Sequence, residues 1–516
     1  MVLMFFLAML PIIWLIIALS GLKMPAFKAC PIALLLTILL SLFVWKMPFM
    51  DMFTGALEGA VMGIWPICLV IIAAIFTYNL TVYTKNMDLI KRMLTSVSMD
   101  KRILVLIIAW GFGGFMEGMA GFGTAVAIPA SMLCGLGFNP IFAATVCLVA
   151  NATPTAFGSI GIPTITAASV AGLGASEVAI AAVIQLALMI IVTPFLMVIM
   201  TGKSLKSLKG VGLITLISGL AFVIPEFLTA KFVGAALPVV IGSVCSMAAT
   251  ILASKFLAKK PSPCYALEEI AADSDDTNTE HITASKAVRA WMPFILILVF
   301  LLLTSSLIPP IHNALSSIKT SVQIYSGAGA SKYTFTWIAT PGVLIFIAAI
   351  IGGRIQKASF SEIFGVLGAS LKQMLKTVIT IVSILATAKL MGYSGMINDI
   401  AALIVSITGS FYPLVSPLIG SIGTFVTGSA TSSSVLFAGL QAQTAETLNM
   451  SPVWMAAANT AGATAGKIIS PQSIAIAVAA TNTVGEESKI LNSSIKYYII
   501  FIVVFGLTAF FGGGLI

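Results

Sequence analysis

The sequence predicts an all-α polytopic membrane protein of about 12–14 membrane segments, built as two inverted repeats that carry broken helices or re-entrant hairpins. Three observations predict it. Hydrophobic residues make up 59% of the chain and charged residues 9%, with a mean hydropathy of +1.09, whereas a soluble domain needs roughly a quarter charged residues to coat its surface. Apolar runs long enough to span a bilayer, about 20 residues each, recur from end to end with short basic loops between them. A motif of Asn, Gly, Ile and Pro in the first half returns at the same spacing in the second.

Residues 2–22 form the first apolar run. It lacks a basic n-region and is followed almost at once by residues 30–45, so both read as retained spans rather than a cleaved leader. Lys23 and Lys28 follow the first run. Further along come Lys85, Lys91, Arg92, Lys101 and Arg102, then Lys203, Lys206 and Lys209, then Lys255, Lys259 and Lys260, and then Arg354 and Lys357. Loops rich in Lys and Arg stay in the cytoplasm. Spans between these loops alternate consistently if the N-terminus lies outside, in a bacterial inner membrane. The net charge of +9 arises in these loops, so it does not point to nucleic acid. Six cysteines, at 30, 68, 134, 147, 245 and 264, show no metal spacing and mostly sit in apolar runs, as packing residues do.

One long hydrophilic stretch, residues 258–288, carries Glu268, Glu269, Asp273, Asp275, Asp276 and Glu280. Its composition is that of a flexible cytoplasmic linker. The chain then divides into a first repeat (1–210), two linking spans (211–257), the linker (258–288) and a second repeat (289–516).

The repeat rests on three echoes in the same order. Asn151, Gly158, Ile160 and Pro163 are matched by Asn459, Gly466, Ile468 and Pro471. Upstream, Gly137 to Pro140 is matched by Leu448 to Pro452, and the small-residue run 118–124 by 427–433. The first glycine-rich run is approached from a cytoplasmic loop and the second from the outer side, which predicts inversion. Glycine- and proline-broken segments at matching positions of two inverted halves point to a secondary transporter's binding site. A broken helix exposes amides and carbonyls that lipid cannot satisfy, so it must line a protein cavity, and half-helix N-termini favour an anion.

Several side chains are candidates there. Glu117 lies deep in an apolar region, where a carboxylate costs several kcal/mol unless paired or protonated; it is the candidate proton-coupling group, with a structural ion pair or helix cap as the alternative. Lys467 occupies the position that Ser159 holds in the first motif, which suits an ammonium facing a substrate carboxylate or a partner for Glu117. Thr124, Thr153, Thr155 and Ser159 in one half, and Thr427, Ser429, Thr431, Ser432, Thr460 and Thr464 in the other, offer hydroxyls for a hydroxy acid, although Ser and Thr also let membrane helices pack closely. The backbone at Gly121 and Gly123, and the amides Asn151 and Asn459, complete the candidate set. Lys389 is expected to snorkel from its span, and Glu58 to lie at an interface. His281 and His312 fall in the linker and an outer loop, away from any membrane relay. No zinc motif, nucleophile elbow or phosphate loop is present, so an enzyme is not expected.

At these motifs the chain resembles the lactate permease family, which includes glycolate permeases. The stretches that carry the resemblance are 117–123, 151–163 and 462–477, with Trp65-Pro66 and residues 78–82 similar as well. The resemblance covers nearly the whole chain. It implies proton-coupled uptake of L-lactate, D-lactate or glycolate, and re-entrant hairpins in a transport domain beside a scaffold. The family commonly carries an Asp in its second glycine motif and an Asn soon after; here Ala430 and Ser434 stand there. The expected partners are a small carboxylate and membrane lipid, with a homodimer left open. No cofactor is expected; the coupling ion is a proton, with sodium as the alternative. The rival readings are a sodium-coupled carrier of another anion, an anion channel and a membrane-embedded enzyme.

Overall fold

The computed structural model describes residues 2–22, 24–121, 123–257, 265–267, 283–305, 307–328, 330, 332–483 and 485–514. Most of the linker with all six of its acids, and also Lys23, Lys259, Lys260, Cys264 and His281, lie outside these residues.

Among the described residues ten helices are long and apolar enough to cross a membrane, and eleven if the bent pair Pro140–Ala150 and Thr153–Ala171 counts as one span. Helix dominates because a backbone in lipid has no water to bond and must satisfy itself. Shorter apolar helices, Leu3–Leu19, Thr124–Gly135, Pro341–Ile355 and Pro471–Thr481, supplement the spans.

Two helices of 35 residues, Phe49–Tyr83 and Phe360–Ser394, are each about 52 Å long at 1.5 Å per residue. They pack antiparallel along their whole length. Gly55 faces Tyr393, Gly59 faces Leu385 and Ala386, and Gly63 faces Val382. At the other end Asn79 bonds Ser370 and Gln373, and Tyr83 bonds Glu362. Small residues allow this approach: a Cβ on Gly59 would stand 2.5 Å from the Leu385 carbonyl oxygen. The first helix bends where Trp65 leaves helical geometry before Pro66, a usual cause of a kink. The second begins with a capping box, in which the Ser359 hydroxyl accepts from the Glu362 amide and the Glu362 carboxylate accepts from the Ser359 amide.

Antiparallel packing also corrects two expectations. Lys389 does not snorkel alone, and Glu58 is 2% exposed rather than interfacial. The two meet at 3.3 Å, and Glu58 also accepts from Tyr393 Oη at 2.6 Å and from the Tyr325 amide at 3.3 Å. Bonds from several donors offset the desolvation that a buried ion pair costs. Tyr325 belongs to a loop next to an antiparallel β-hairpin, Lys319–Gln323 with Lys332–Thr336, in a region where the sequence predicts only an outer loop. Its β-branched and aromatic residues suit strands, and Tyr333 caps the kink by donating to the Trp65 carbonyl.

Beyond each 35-residue helix the elements follow one order. A short arm comes first, Asn86–Thr95 or Met396–Thr408. A helix then runs to a tip, Lys101–Met119 or Tyr412–Thr427, and a second returns from it, Thr124–Gly135 or Ala430–Thr447. Next is a helix that opens on proline behind a polar cap, Pro140–Ala150 or Pro452–Ile469, in which Asn139 accepts from the Phe142 amide and Ser451 from the Trp454 amide. After a break come Gly158–Ala171 or Pro471–Thr481, and a closing helix, Ala175–Gly202 or Glu487–Phe511. Gly212–Phe232 and Pro238–Leu257 stand between the two series. The second of these packs on the buried first tip helix, with Gly118 against Val240 and Gly114 against Ser243.

Candidate functional site

The first tip forms where Lys101–Met119 ends and the chain turns through Gly121 and Gly123, at φ +63° and +89°. Residues with a Cβ rarely adopt this left-handed region. The return helix lies back along the first, with Ala125 and Pro129 against Gly113, so the pair is a hairpin. Across from its tip the next helix is broken. Pro140–Ala150 gives way to a 3-10 turn, Thr153–Phe157, and then to three successive left-handed residues, Ser159, Ile160 and Gly161. Two of these carry a Cβ, at a cost of order 1–3 kcal/mol each, which the surrounding burial must overcome. The break delivers Ser159, whose hydroxyl donates to the Ala120 carbonyl at 2.7 Å.

The second tip is built by close helix packing. Gly462 and Gly466, one turn apart, lie against Pro417 and Ser421 of Tyr412–Thr427, and Gly420 lies against Asn459. Small-xxx-small spacing lets the backbones touch. The two helices run parallel and reach the tip together, where Lys467 Nζ donates to the Gly428 carbonyl at 3.1 Å. In both halves the donor lies 39 residues after the carbonyl it closes. The first tip also reaches the helix that follows the second break: a Cβ on Gly123 would meet Ile476 of Pro471–Thr481 at 2.5 Å.

A cavity of about 240 Å³ lies between these breaks. From the first half it is lined by Glu117, Thr155, Gly158 and Ser159, and from the second by residues 427–432, Lys467, Gln472 and Ile476. The long helix Phe360–Ser394 adds Lys376, Thr377 and Thr380, and Phe27 closes one side with its ring 5.2 Å from the Lys376 ammonium. Glu117 Oε1 sits against Gly158, where a Cβ would come within 2.5 Å, and Oε2 has no hydrogen-bond partner among the described residues. Among the described residues no direct ion pair joins Glu117 to Lys467. The wall thus carries two ammonium groups and one carboxylate, and such a wall attracts a small anion.

Of the residues singled out in the sequence, Glu117, Thr155, Ser159, Thr427, Ser429, Thr431, Ser432 and Lys467 meet at this cavity. The others stand behind it. Asn151 ends Pro140–Ala150 and donates to Thr155, Thr153 is buried with its hydroxyl unpartnered among the described residues, and Gly121 and Gly123 shape the first tip. Asn459 and Thr460 lie inside unbroken helix, Thr460 bonding back to the Ala456 carbonyl. Ala430 lines the cavity, so this tip presents hydroxyls and no acid. Sequence reading missed Lys376, Thr380, Gln472 and Phe27. Lys376 and Thr380 are one turn apart on one helix face, which was a usable signal, but Lys376 reads as a loop-proximal charge. It also missed Glu226, a fully buried carboxyl on Gly212–Phe232 with both oxygens unpartnered among the described residues; an acid within an apolar run was its signal.

The L-lactate permease family model matches residues 4–515. An L-lactate permease of Streptococcus iniae is 47% identical over 451 residues, covering 87% of this chain and 93% of that one. Glycolate permease GlcA of Escherichia coli strain K12 is 34% identical over 528 residues, covering 97% and 94%. The L-lactate permease of the same strain is 34% identical over 525 residues, again covering 97% and 94%. Among solved structures, Neisseria gonorrhoeae MtrF, described as illuminating a class of antimetabolite efflux pumps, superposes with a TM-score of 0.50 at 14% identity, covering 90% of this chain and 84% of that one. That likeness concerns the fold alone.

Proposed function

This chain belongs to the L-lactate permease family, and on that premise we propose that it is a secondary active transporter importing L-lactate or a related 2-hydroxy monocarboxylate, D-lactate or glycolate, with a proton. The observation that carries the reading is Lys467: a buried ammonium held by one carbonyl at the junction of two helix breaks, with donors left for a carboxylate. A charge-assisted bond there fixes the substrate carboxylate. Ser159, Ser429 and Thr431 stand around the same space for the 2-hydroxyl. Glu117, which lines the same cavity, takes up and releases the coupling proton, so that substrate charge and proton cross together. Asn151 and Thr153 belong to the first break, Gly121 and Gly123 hold the first tip, and Asn459 and Thr460 lie on the helix that presents Lys467.

We read residues 1–210 and 289–516 as inverted repeats joined by two spans (211–257) and a cytoplasmic linker (258–288). The common element order and the antiparallel pairing of the two 35-residue helices support this. Two inverted halves can exchange shapes at similar energy, and such an exchange gives alternating access. The basic loops favour an N-terminus outside a bacterial inner membrane.

The test is labelled L-lactate uptake into proteoliposomes under an imposed proton gradient and, separately, a sodium gradient. Proton-driven accumulation is the expected result. Flux without saturation or counterflow would identify a channel instead. Accumulation driven by sodium alone would favour the second reading, a sodium-coupled carrier. One observation favours that alternative: Thr424 Oγ1, Ser434 Oγ and Asn459 Oδ1 are buried in the second half without partners among the described residues, and hard cations take oxygen ligands.

A further inference from the structure

Away from the transport cavity a second crevice of about 800 Å³ opens beside the two ends of the first hairpin. Lys101 at the start of the hairpin, Lys203 after Ala175–Gly202 and Lys496 on Glu487–Phe511 all line it, and among the described residues no carboxylate does. Among the described residues none of the three has an acidic partner. Three ammonium groups around one space repel one another unless a counter-anion joins them. Beside them, and next to polar Asn139, Thr201 and Tyr497, the wall carries an apolar stretch. Phe138 and Phe142 stack at 5.9 Å and 12°, with Ile199 and Met200 among the other lining residues. Deeper in, Thr145 and Ser493 bond each other at 2.6 Å and tie two helices together.

A free inorganic anion would use only the lysines and leave this apolar wall wet. A phospholipid uses both parts, its phosphate on the ammonium groups and an acyl chain along the rings. Basic pockets between membrane helices take anionic head groups in this way. We propose that the crevice formed by Lys101, Lys203, Lys496, Phe138 and Phe142 is a binding site for an anionic diacyl phospholipid. A lipid seated there bridges the start of the hairpin, at Lys101, to its return, at Phe138, and to the closing helix of the second half. It therefore braces the element that carries Glu117. The inference does not depend on which solute the protein carries.

The experiment compares purified full-length protein in neutral detergent with added phosphatidylglycerol, phosphatidylcholine or inorganic phosphate, read by thermal unfolding and by lipid retained in native mass spectrometry. Three proteins are compared: the unaltered chain, the crevice variant Lys101→Gln/Lys203→Gln/Lys496→Gln, and a charge-matched control, Lys206→Gln/Lys209→Gln/Lys255→Gln. Phosphatidylglycerol is expected to raise the unfolding midpoint of the unaltered and control proteins and to be retained in preference to phosphatidylcholine. The crevice variant is expected to lose that preference. Should the triple variant fold poorly, Lys496→Gln alone, at an exposed position, is expected to weaken phosphatidylglycerol retention about fivefold. Equal preference in the crevice variants and the control overturns the site. A shift produced by inorganic phosphate alone, as large as that from phosphatidylglycerol, also overturns it and leaves a simple anion site.

Discussion

The first hairpin tip is closed by a hydroxyl, Ser159 to Ala120, and the second by an ammonium, Lys467 to Gly428, at the same 39-residue separation. Three residues before each closed carbonyl the halves differ again, with Glu117 in the first and Phe425 in the second. The backbone solution is shared and the chemistry is divided. One half supplies the acid and the other the cation, and the two meet only at one cavity. Two identical tips would offer either two acids, which repel a carboxylate, or two lysines with no proton carrier between them.

The largest expected effect comes from erasing that division. Lys467→Ser gives the second tip the first tip's donor type. Removing a buried charge from its partner costs about 2–5 kcal/mol, so L-lactate uptake in proteoliposomes should fall about a hundredfold, with the size-exclusion profile unchanged. Uptake within threefold of the unaltered protein would take Lys467 out of the site. Glu117→Gln comes next. It keeps the shape and removes the acid, so proton-driven accumulation should disappear while lactate–lactate counterflow persists. Persisting proton-driven accumulation would move the coupling proton elsewhere, with the unpartnered Glu226 as the next candidate.

Ser159→Ala tests the shared part. It leaves the buried Ala120 carbonyl without its donor, at about 1–3 kcal/mol, and should lower the thermal midpoint and cut uptake several-fold without altering its ion dependence. A change of coupling ion in this variant would mean that the hydroxyl does more than latch the tip. The smallest effect is expected at the cavity mouth. Lys376 is exposed and rests against the Phe27 ring, so Lys376→Gln should raise KM for L-lactate about two- to threefold with the maximal rate kept. A collapse of the maximal rate would place Lys376 with Lys467 as a second essential cation.

Much of this arrangement was legible in the sequence, for identifiable reasons. Pairing position 159 with 467 needed only a constant spacing. Glycine, proline and an ionisable residue inside apolar runs are costly in lipid, so their recurrence together marks a binding region. The position of the second break was not legible. Asn151 and Asn459 match in spacing, yet the first helix ends at Ala150 while the second continues through Asn459 to Ile469 and breaks at Ser470-Pro471. The matched spacing was the same, but packing decided between them: Gly462 and Gly466 seat their helix on Pro417 and Ser421, which stabilises helix where the first half has a 3-10 turn. Glu58 and Lys389 could not be paired either, because they are remote in the chain and meet only through the antiparallel contact of two long helices.

By itself the sequence determined that the chain lives in a membrane, that its motifs recur, and which residues were too polar to be there without purpose. Hydrophobicity and spacing are properties of the chain, and lipid leaves a backbone few alternatives. The tertiary structure alone decided which of those polar residues share one cavity, which scaffold side chains join them, and which merely hold the breaks in place. Those answers depend on distances between segments far apart in sequence, and such distances are set by glycine-mediated helix contacts that no local pattern encodes.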